Sequence, residues 1–427
     1  MIHLEEDEVA LMKSPEIQRL RYIRMCNINS LLLSGASETK RFEHSIGVLG
    51  LAKEWLRHNF NVLPKNQRDI LRYAAMLHDI QTGPFGHSFQ YLVEDTATFN
   101  FQHSNIVAGE INDFYQSGKM NLSFSGEPFA VKRLLGSFWE AVGNAIDGSG
   151  PVGSLISSSM DLDNIDNVYR MAYHMGLLED QEKHTPIKLV GQLKLLPDRS
   201  LAITPQGVNL VHNWHEVRAR VYNDLLLDWG EFSAKAMLTK AMEMALEYGI
   251  VGIESWIKTD EQLLDFLISE GVGEKQELRK LVNRLKTGDL YEPIGLYESV
   301  NNNHIKLLNN SKSKREIEES IKNLLKLAGF NASAPLIHFI EDKNKTYRSV
   351  SLRIYGSQEM ITVGETLSRM LVGVFVPKEV SKLKKDHIYR GICKDVLTQY
   401  GIEITKEIYD PLESLEEDSY NGGGLFF

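Results

Sequence analysis

Apolar side chains recur every three or four residues along most of the first 290 residues, a spacing typical of amphipathic helices. In 41–57 this repeat forms one apolar stripe, made of Phe42, Ile46, Leu49, Ala52 and Leu56. The same spacing predicts helices over 69–79, 161–178, 208–229, 231–249 and near 314–328, with short helices between charged turns over 254–286. The pattern therefore predicts a large helical core.

The local composition of the chain changes near residue 335, where β-branched and aromatic residues become frequent. The strings PLIHFIED and YRSVSLRIYG flank a turn-like DKNK, which predicts a β-hairpin. Two further helices are expected before an acidic, glycine-rich tail. The predicted fold class is mainly α, with a helical core over 1–290 and a smaller α+β C-terminal lobe over 291–427.

Composition narrows the class of protein. Hydrophobic residues make up 43% and charged residues 24%, and no apolar run approaches the roughly 20 residues that span a bilayer. The start, MIHLEEDEVALMKS, lacks the pattern of a secretory signal, so we expect a cytoplasmic protein without a membrane partner. The net charge of -10 argues against long nucleic acid as a partner, although a bound cation would still allow small anionic substrates.

The two cysteines, Cys26 and Cys393, are far apart, so histidines and carboxylates must hold any metal. The informative string is LRYAAMLHDIQTGPFGH, in which His78 and Asp79 end an apolar helix just before a Gly-Pro turn. Adjacent helical residues diverge by about 100°, so both reach one ion only near a helix end. Imidazole and carboxylate together suit Mn, Fe, Zn or Co, and Mg with more waters. An HD dipeptide alone is weak evidence for a metal site, because most such dipeptides are ordinary core or surface residues.

The context of this pair is more specific. The strings SPEIQRLRYIR (14–24), RFEHSIGV, LHDI with GPFGHSF, and D-x-D-x-x-D-x-x-x-R followed by YHMG occur in that order. In this ordered set the chain resembles the dNTP triphosphohydrolases of the HD superfamily, the bacterial dGTPases and the vertebrate SAM-and-HD-domain proteins. The resemblance implies an HD-domain helical core and a metal ion held by His44, His78, Asp79 and Asp163. It also implies that Asp161 and Asp166 are neighbours of the ligands, either on the helix surface or as carboxylates that orient the ligating histidines.

The resemblance also assigns catalytic roles. Arg41 would hold the α-phosphate, because a guanidinium suits phosphate contact, and its alternative is a surface ion pair with Glu38 or Glu43. His87 would act as the general acid, and His103 would assist at the phosphate. The alternative for both histidines is a hydrogen-bonded core residue.

The substrate positions depart from the family pattern. Asn164 stands where the family has a basic phosphate ligand, Asn167 where it has a tyrosine, and Met25 where it has a glutamine near the sugar. Tyr222, in RVYNDLL, matches another substrate position, whereas Thr82 replaces a phosphate-contacting histidine. Sites that lose hydrogen-bonding partners lose discrimination, so the base and sugar preferences stay open.

These observations predict a metal-dependent phosphohydrolase of nucleotides, with hydrolysis of a dNTP to deoxynucleoside and triphosphate as the leading hypothesis. The alternatives are an HD phosphodiesterase or phosphomonoesterase on another nucleotide, and a non-catalytic nucleotide sensor. The resemblance further implies a divalent metal (Mn, Fe, Mg, Zn or Co), an allosteric nucleotide, a homo-oligomer assembled or regulated through the C-terminal lobe, and a role in nucleotide depletion or phage defence by analogy.

Overall fold

A computed structural model describes residues 2–25, 38–86, 89, 130–299, 311–330, 335–341, 348–365, 370–380 and 386–409. Its helices are α1 (Glu6–Met12), α2 (Pro15–Arg19), α3 (Arg41–His58), α4 (Lys65–Leu77), α5 (Ala130–Leu135), α6 (Trp139–Ile146), α7 (Leu162–His174), α8 (Thr185–Gln192), α9 (Val208–Leu227), α10 (Trp229–Glu247), α11 (Asp260–Glu270), α12 (Gln276–Thr287), α13 (Ser311–Leu327) and α14 (His387–Gln399). Its strands are β1 (Leu193–Leu195), β2 (Leu201–Ile203), β3 (Glu292–Ser299), β4 (Leu336–Glu341), β5 (Val350–Ile354), β6 (Met360–Val363), β7 (Met370–Val376) and β8 (Ile404–Tyr409).

The helical core is built around α3, which packs against α4, α7 and α8, while α7 packs against α9. The predicted stripe of α3 is largely buried in this core, with Leu49 and Ala52 fully enclosed. Trp55 extends the same face, and its indole Nε1 donates to the carbonyl of Leu193 at 3.1 Å. Among the described helices, none is long and apolar enough to cross a bilayer. The mainly α class predicted from periodicity is confirmed.

The predicted hairpin is wrong, because its two strands lie in different sheets. β4, from PLIHFIED, pairs with β7 in the sheet of order β4-β7-β3-β8. β5, from YRSVSLRIYG, instead joins the sheet of order β1-β2-β5-β6, where it is parallel to β2 and antiparallel to β6. Residue alternation specifies the faces of a strand but not its hydrogen-bonding neighbour, which explains the error.

Strands β1 and β2 lie within the segment that was predicted to be mostly helical. They form an antiparallel pair between α8 and α9, and β2 then pairs with β5 through Ala202 and Arg353. The predicted boundary at 290/291 falls between α12 and β3. Hydrogen bonds of the β2–β5 pair therefore join the chain segments on either side of that predicted boundary.

The second sheet is covered on both faces, as shown by β7, one of its two inner strands, which is buried along its whole length. Val372 and Val374 face a core formed with α13 and α14. Leu371 and Phe375 face the main core, where Phe375 meets Phe232 of α10 edge to face. The expectation of two closing helices is wrong for the described residues 386–409, where α14 is followed by β8, which pairs with β3.

Candidate metal centre

Three helices bring the candidate ligands together. His44 lies in the first turn of α3, and Asp163 lies in the first turn of α7. The α7 helix begins there because Asp161 caps it, accepting a hydrogen bond from the backbone N–H of Asn164 at 2.7 Å. His78 follows the last residue of α4, and the chain leaves the helix after it, so that Asp79 also turns toward His44. The expectation that both residues of the pair need a helix end is met.

The ligand atoms converge on one small volume. The candidate ligand atoms of His44, His78 and Asp79 lie within 4.8 Å of one another, and all three residues are buried. His44 Nε2 lies 3.1 Å from His78 Nε2 and 3.9 Å from Asp79 Oδ2, which in turn lies 3.6 Å from His78 Nε2. Asp163 Oδ1 lies 2.9 Å from His44 Nε2 and 3.7 Å from His78 Nε2.

The hydrogen bonds of the two imidazoles fit a bound cation. His78 Nδ1 lies 2.9 Å from the carbonyl of Ala75, and His44 Nδ1 lies 2.8 Å from Asp166 Oδ2. Both partners are acceptors, so in the neutral imidazoles each Nδ1 carries the proton and each Nε2 presents a lone pair. Two lone pairs 3.1 Å apart, beside two carboxylates, repel unless a cation or a proton lies among them. The donor set therefore fits a divalent ion.

Without a bound metal, the acidic neighbours of His44 favour its protonated form. Burial disfavours a charged His44, but hydrogen bonds to Asp163 and Asp166 outweigh it and raise the pKa of His44 to about 10. Burial likewise opposes ionisation of Asp163, and the His44 hydrogen bond overrides it, so that the pKa of Asp163 falls to about 2. The electrostatic potential around His44 is thus strongly negative, and the site attracts a positive charge.

A carboxylate outside the ligand set orients His44. Asp166, one turn after Asp163 on α7, accepts from Arg170 Nε at 2.7 Å and from Arg170 Nη2 at 2.9 Å, in addition to its hydrogen bond with His44. Arg170 also donates a hydrogen bond from Nη1 to Glu43 Oε1 at 2.8 Å. Gly47 of α3 faces this pair, and a Cβ there would collide with Arg170 Nη2 and Asp166 Oδ1. The glycine lets the α7 ion pair approach α3.

Arg41 lies inside the centre rather than on the surface. It is buried, and its Nη1 donates to Asp79 Oδ1 at 2.7 Å, an oxygen that also accepts from Thr82 Oγ1 at 3.0 Å. The ion pair observed for Arg41 is thus with Asp79, not with the surface glutamates considered as its alternative. Its Nε has no hydrogen-bond partner among the described residues, which leaves a donor for a ligand.

The segment after Asp79 is held by distant side chains. Trp256 Nε1 donates to the carbonyl of Gln81 at 2.7 Å, and Arg19 donates to the carbonyl of Thr82. Asp260 Oδ1 accepts from the backbone N–H of Phe85 at 2.8 Å, where Phe85 has a left-handed φ of 56°. These contacts fix a backbone conformation that few non-glycine residues adopt, six residues after the candidate ligand Asp79. Sequence analysis did not identify Trp256 or Asp260, because neither lies near the motif in the chain.

The predicted substrate residues lie around this centre in different ways. Asn164 is engaged by the protein, since its Nδ2 donates to Asp161 and its Oδ1 accepts from Arg348 Nη1 at 3.0 Å. Asn167 lies one turn further along α7, and its Oδ1 is buried without a hydrogen-bond partner among the described residues. Tyr222 of α9 stacks under Arg218, whose Cζ lies 4.3 Å from the ring centre.

The other predicted site residues are less informative. Met25 is buried in the main core, and its backbone N–H donates to the carbonyl of Thr39 at 2.8 Å. His87 and His103 lie outside the described residues. Their catalytic roles, the substrate roles of Asn164, Asn167, Tyr222 and Met25, and the assignment of Asp163 as fourth ligand stay predictions. Sequence analysis missed Arg348, whose position in the chain carries no local signal.

Comparisons with known proteins agree with this site. The family model described as HD domain matches residues 41–121. The Bacillus subtilis "Uncharacterized protein YwfO" is 24% identical over an alignment of 302 residues, and the match covers 64% of this chain and 66% of that protein. The Gallus gallus "Deoxynucleoside triphosphate triphosphohydrolase SAMHD1" is 20% identical over 327 residues, covering 67% of this chain and 53% of its own length. A Bos taurus protein of the same name is 39% identical over 84 residues, covering 18% of this chain and 14% of its own.

Residues 41–121 therefore match the HD domain, and His44, His78 and Asp79 within this range are positioned for a divalent metal ion. Its resemblance to the HD superfamily is confirmed, and proteins named as dNTP triphosphohydrolases are among its distant relatives. The chain spans between about half and two thirds of the length of the Bacillus and Gallus relatives.

Proposed function

We propose that this protein is a metal-dependent phosphohydrolase that converts a deoxynucleoside triphosphate to deoxynucleoside and triphosphate. The observation that carries the proposal is the convergence of the His44 and His78 Nε2 atoms with the carboxylates of Asp79 and Asp163. A divalent ion at such a site supplies a Lewis acid and lowers the pKa of water. The names of the distant relatives support the nucleotide as substrate.

The residues of the chain then divide the remaining work. Hydrolysis joins a water oxygen to the α-phosphorus, breaks the bond to the 5′-oxygen and delivers a proton to that oxygen. Arg41 is oriented by its ion pair with Asp79, and its Nε remains for a phosphate oxygen. His87 is the predicted proton donor and His103 the predicted helper. Asp166 holds His44 with its Nε2 toward the ion.

The experiment is product analysis on a panel of dNTPs and NTPs with manganese, in which triphosphate and nucleoside are separated by chromatography. We expect manganese-dependent release of triphosphate by the wild type and its loss in His78→Ala. The matched control is His58→Ala, which removes a partly exposed histidine at the far end of α3 and should leave release unchanged. Absence of triphosphate from every nucleotide would overturn the proposal.

A second candidate function is phosphodiester or phosphomonoester hydrolysis of another nucleotide. It is favoured by the engagement of Asn164 with Asp161 and Arg348, since this predicted substrate contact is taken up by protein partners. The same chromatography separates the two functions, because this candidate releases inorganic phosphate or a nucleoside monophosphate in place of triphosphate. A role in nucleotide depletion, an allosteric nucleotide and a homo-oligomer belong to the proposal only by analogy.

A further inference from the structure

Two arginines lie together beside the first turn of α7. Arg348, which lies two residues before β5, donates from Nη1 to Asn164 Oδ1 at 3.0 Å and from Nη2 to the carbonyl of Ser158 at 3.3 Å. Arg218 of α9 lies over the ring of Tyr222. Asn164 directly follows the candidate ligand Asp163, and the charge of Asp163 acts on Arg348, so Arg348 lies close to the metal centre.

The pair has more hydrogen-bond donors than acceptors. Arg218 is only 3% exposed, yet its Nε and Nη1 have no hydrogen-bond partner among the described residues. Both acceptors of Arg348 are neutral. The nearby carboxylate of Asp161 is occupied by the backbone N–H groups of Ser158 and Asn164 and by the Asn164 amide. A buried guanidinium without acceptors costs free energy unless an anion satisfies it.

Together with burial, the positive charge of Arg218 lowers the pKa values of two neighbouring residues, Arg348 and His215. Burial, and then the charge of Arg218, lower the pKa of Arg348. Burial and the same charge lower the pKa of His215, one turn before Arg218 on α9. Asp161 and Asp163 act on Arg348 in the opposite direction. The charges of the two arginines therefore repel each other, and Arg218 is almost fully enclosed, which favours an anionic ligand beside this pair.

The lobe holds Arg348 firmly in this position. The next strand, β5, pairs with β2 of the helical core through Ala202 and Arg353. Gly364, just after β6, allows the lobe to approach α9 closely, because a Cβ there would collide with His215 Nε2 and the carbonyl of Arg348. Both contacts fix the backbone of Arg348 against the core.

We propose that Arg218 and Arg348 form a phosphate subsite, through which the C-terminal lobe completes the metal centre. The inference rests on the proposed function, and it identifies the substrate class as a nucleotide with a polyphosphate chain. The phosphate to be attacked lies at the metal, and the phosphates beyond it reach the two guanidinium groups. Guanidinium groups donate in a planar fork that matches phosphate oxygens.

The test is calorimetric titration of inorganic triphosphate and of inorganic phosphate into the full chain, with manganese and separately with EDTA. The variants are Arg218→Gln and Arg348→Gln, and the matched control is Arg353→Gln, a half-exposed arginine of β5 that pairs with Asp198. We expect tighter binding of triphosphate than of phosphate, a loss of triphosphate affinity of about tenfold or more in each test variant, and no loss in the control. If Arg348→Gln fails to fold by thermal unfolding, Arg348→Lys serves instead, with an intermediate loss because it keeps the charge without the fork.

Equal triphosphate affinity in the wild type and both test variants would overturn the subsite, and so would an equal loss in Arg353→Gln. The result separates this inference from the proposed function. Release of triphosphate from a dNTP, with triphosphate affinity indifferent to both arginines, overturns the subsite alone. Arginine-dependent triphosphate binding without hydrolysis of any nucleotide supports the subsite and overturns the proposed function.

Discussion

Asp166 Oδ2 lies 2.8 Å from His44 Nδ1, on the side of the imidazole opposite to the candidate metal position. The same carboxylate forms a two-point ion pair with Arg170. Asp166 therefore fixes both the tautomer of His44 and the direction of its Nε2 lone pair. This arrangement makes the strength of metal binding depend on a residue that does not itself touch the ion.

For Asp166→Asn we expect metal affinity to fall by about 10- to 100-fold, because the amide loses the charge that fixes the protonated Nδ1 of His44. The measurement is a competition titration of manganese against a chelator of known affinity. The control is Asp180→Asn, which removes an exposed carboxylate paired with Lys183 and should leave metal affinity unchanged. Unaltered affinity in Asp166→Asn would show that the hydrogen bond does not orient the ligand.

The wild type, purified without chelators, is expected to carry a divalent ion, and His78→Ala and Asp79→Ala are expected to lose it. Each substitution removes a ligand from a buried cluster in which few donor atoms are available. Elemental analysis of the three proteins measures the metal content and identifies the ion, while circular dichroism checks that the variants remain folded. A wild type without metal, also after incubation with Mn, Fe, Zn, Co and Mg, would favour the non-catalytic nucleotide sensor.

Metal affinity is expected to rise with pH. Without metal, burial opposes the charge of His44, but Asp163 and Asp166 raise its pKa to about 10, so a proton must leave when a metal binds. Between pH 7 and pH 9 the affinity should therefore increase by about tenfold per pH unit, one proton being released. Competition titrations at several pH values measure this slope. A flat profile would show that His44 is already neutral before the metal arrives.

The pH dependence of folding stability follows from the same rise in the pKa of His44. Because the folded-state pKa of His44 lies above its ordinary value of 6.5, the metal-free protein has the full stabilisation from protonated His44 below pH 6.5. That stabilisation declines as the pH rises toward about 10. Chemical unfolding of the metal-free protein between pH 6 and pH 9 should show this decline, and added metal should reduce it.

Gly47→Ala is expected to destabilise the protein by about 1–3 kcal/mol, because the new methyl group would overlap the Asp166–Arg170 ion pair. Gly50→Ala on the same helix is the matched control. There the new atom meets only the flexible end of Ile2. Because alanine has a higher helix propensity than glycine, this substitution should change the free energy of unfolding by between zero and about 1 kcal/mol, in the stabilising direction. Denaturant unfolding of both variants measures the difference. Equal stability would show that the ion pair moves aside without cost.

The parts of the site that sequence analysis could predict are those with local signals. The stripe of α3 predicts a buried helix, and the turn after Asp79 predicts the helix end at which both residues of the pair reach one point. The resemblance supplied Asp163, and the structure brings its carboxylate to both imidazoles. The α3 stripe and the helix end at His78 and Asp79 depend on residues close by in the chain, so the local pattern predicts them, whereas Asp163 came from the resemblance alone.

The parts that could not be predicted depend on distant contacts. Arg348 reaches Asn164 across 184 positions of the chain, and Trp256 reaches Gln81 across 175. Strand partners have the same character, since the alternation in β5 identifies its faces but does not select β2 over β4. Neither kind of contact produces a periodic pattern in the sequence, because hydrophobic periodicity depends only on residues within one helix or strand.

The parallel pair of β2 and β5 has a consequence for any shortened form of the protein. If the chain ended near the predicted boundary, β2 would lose the neighbour that Arg353 and Ile354 provide, while β1 would still cover its other side. The unpaired N–H and C=O groups of β2 would then form an open strand edge, which is a template for pairing with other chains. A shortened protein that keeps every candidate metal ligand is therefore expected to self-associate.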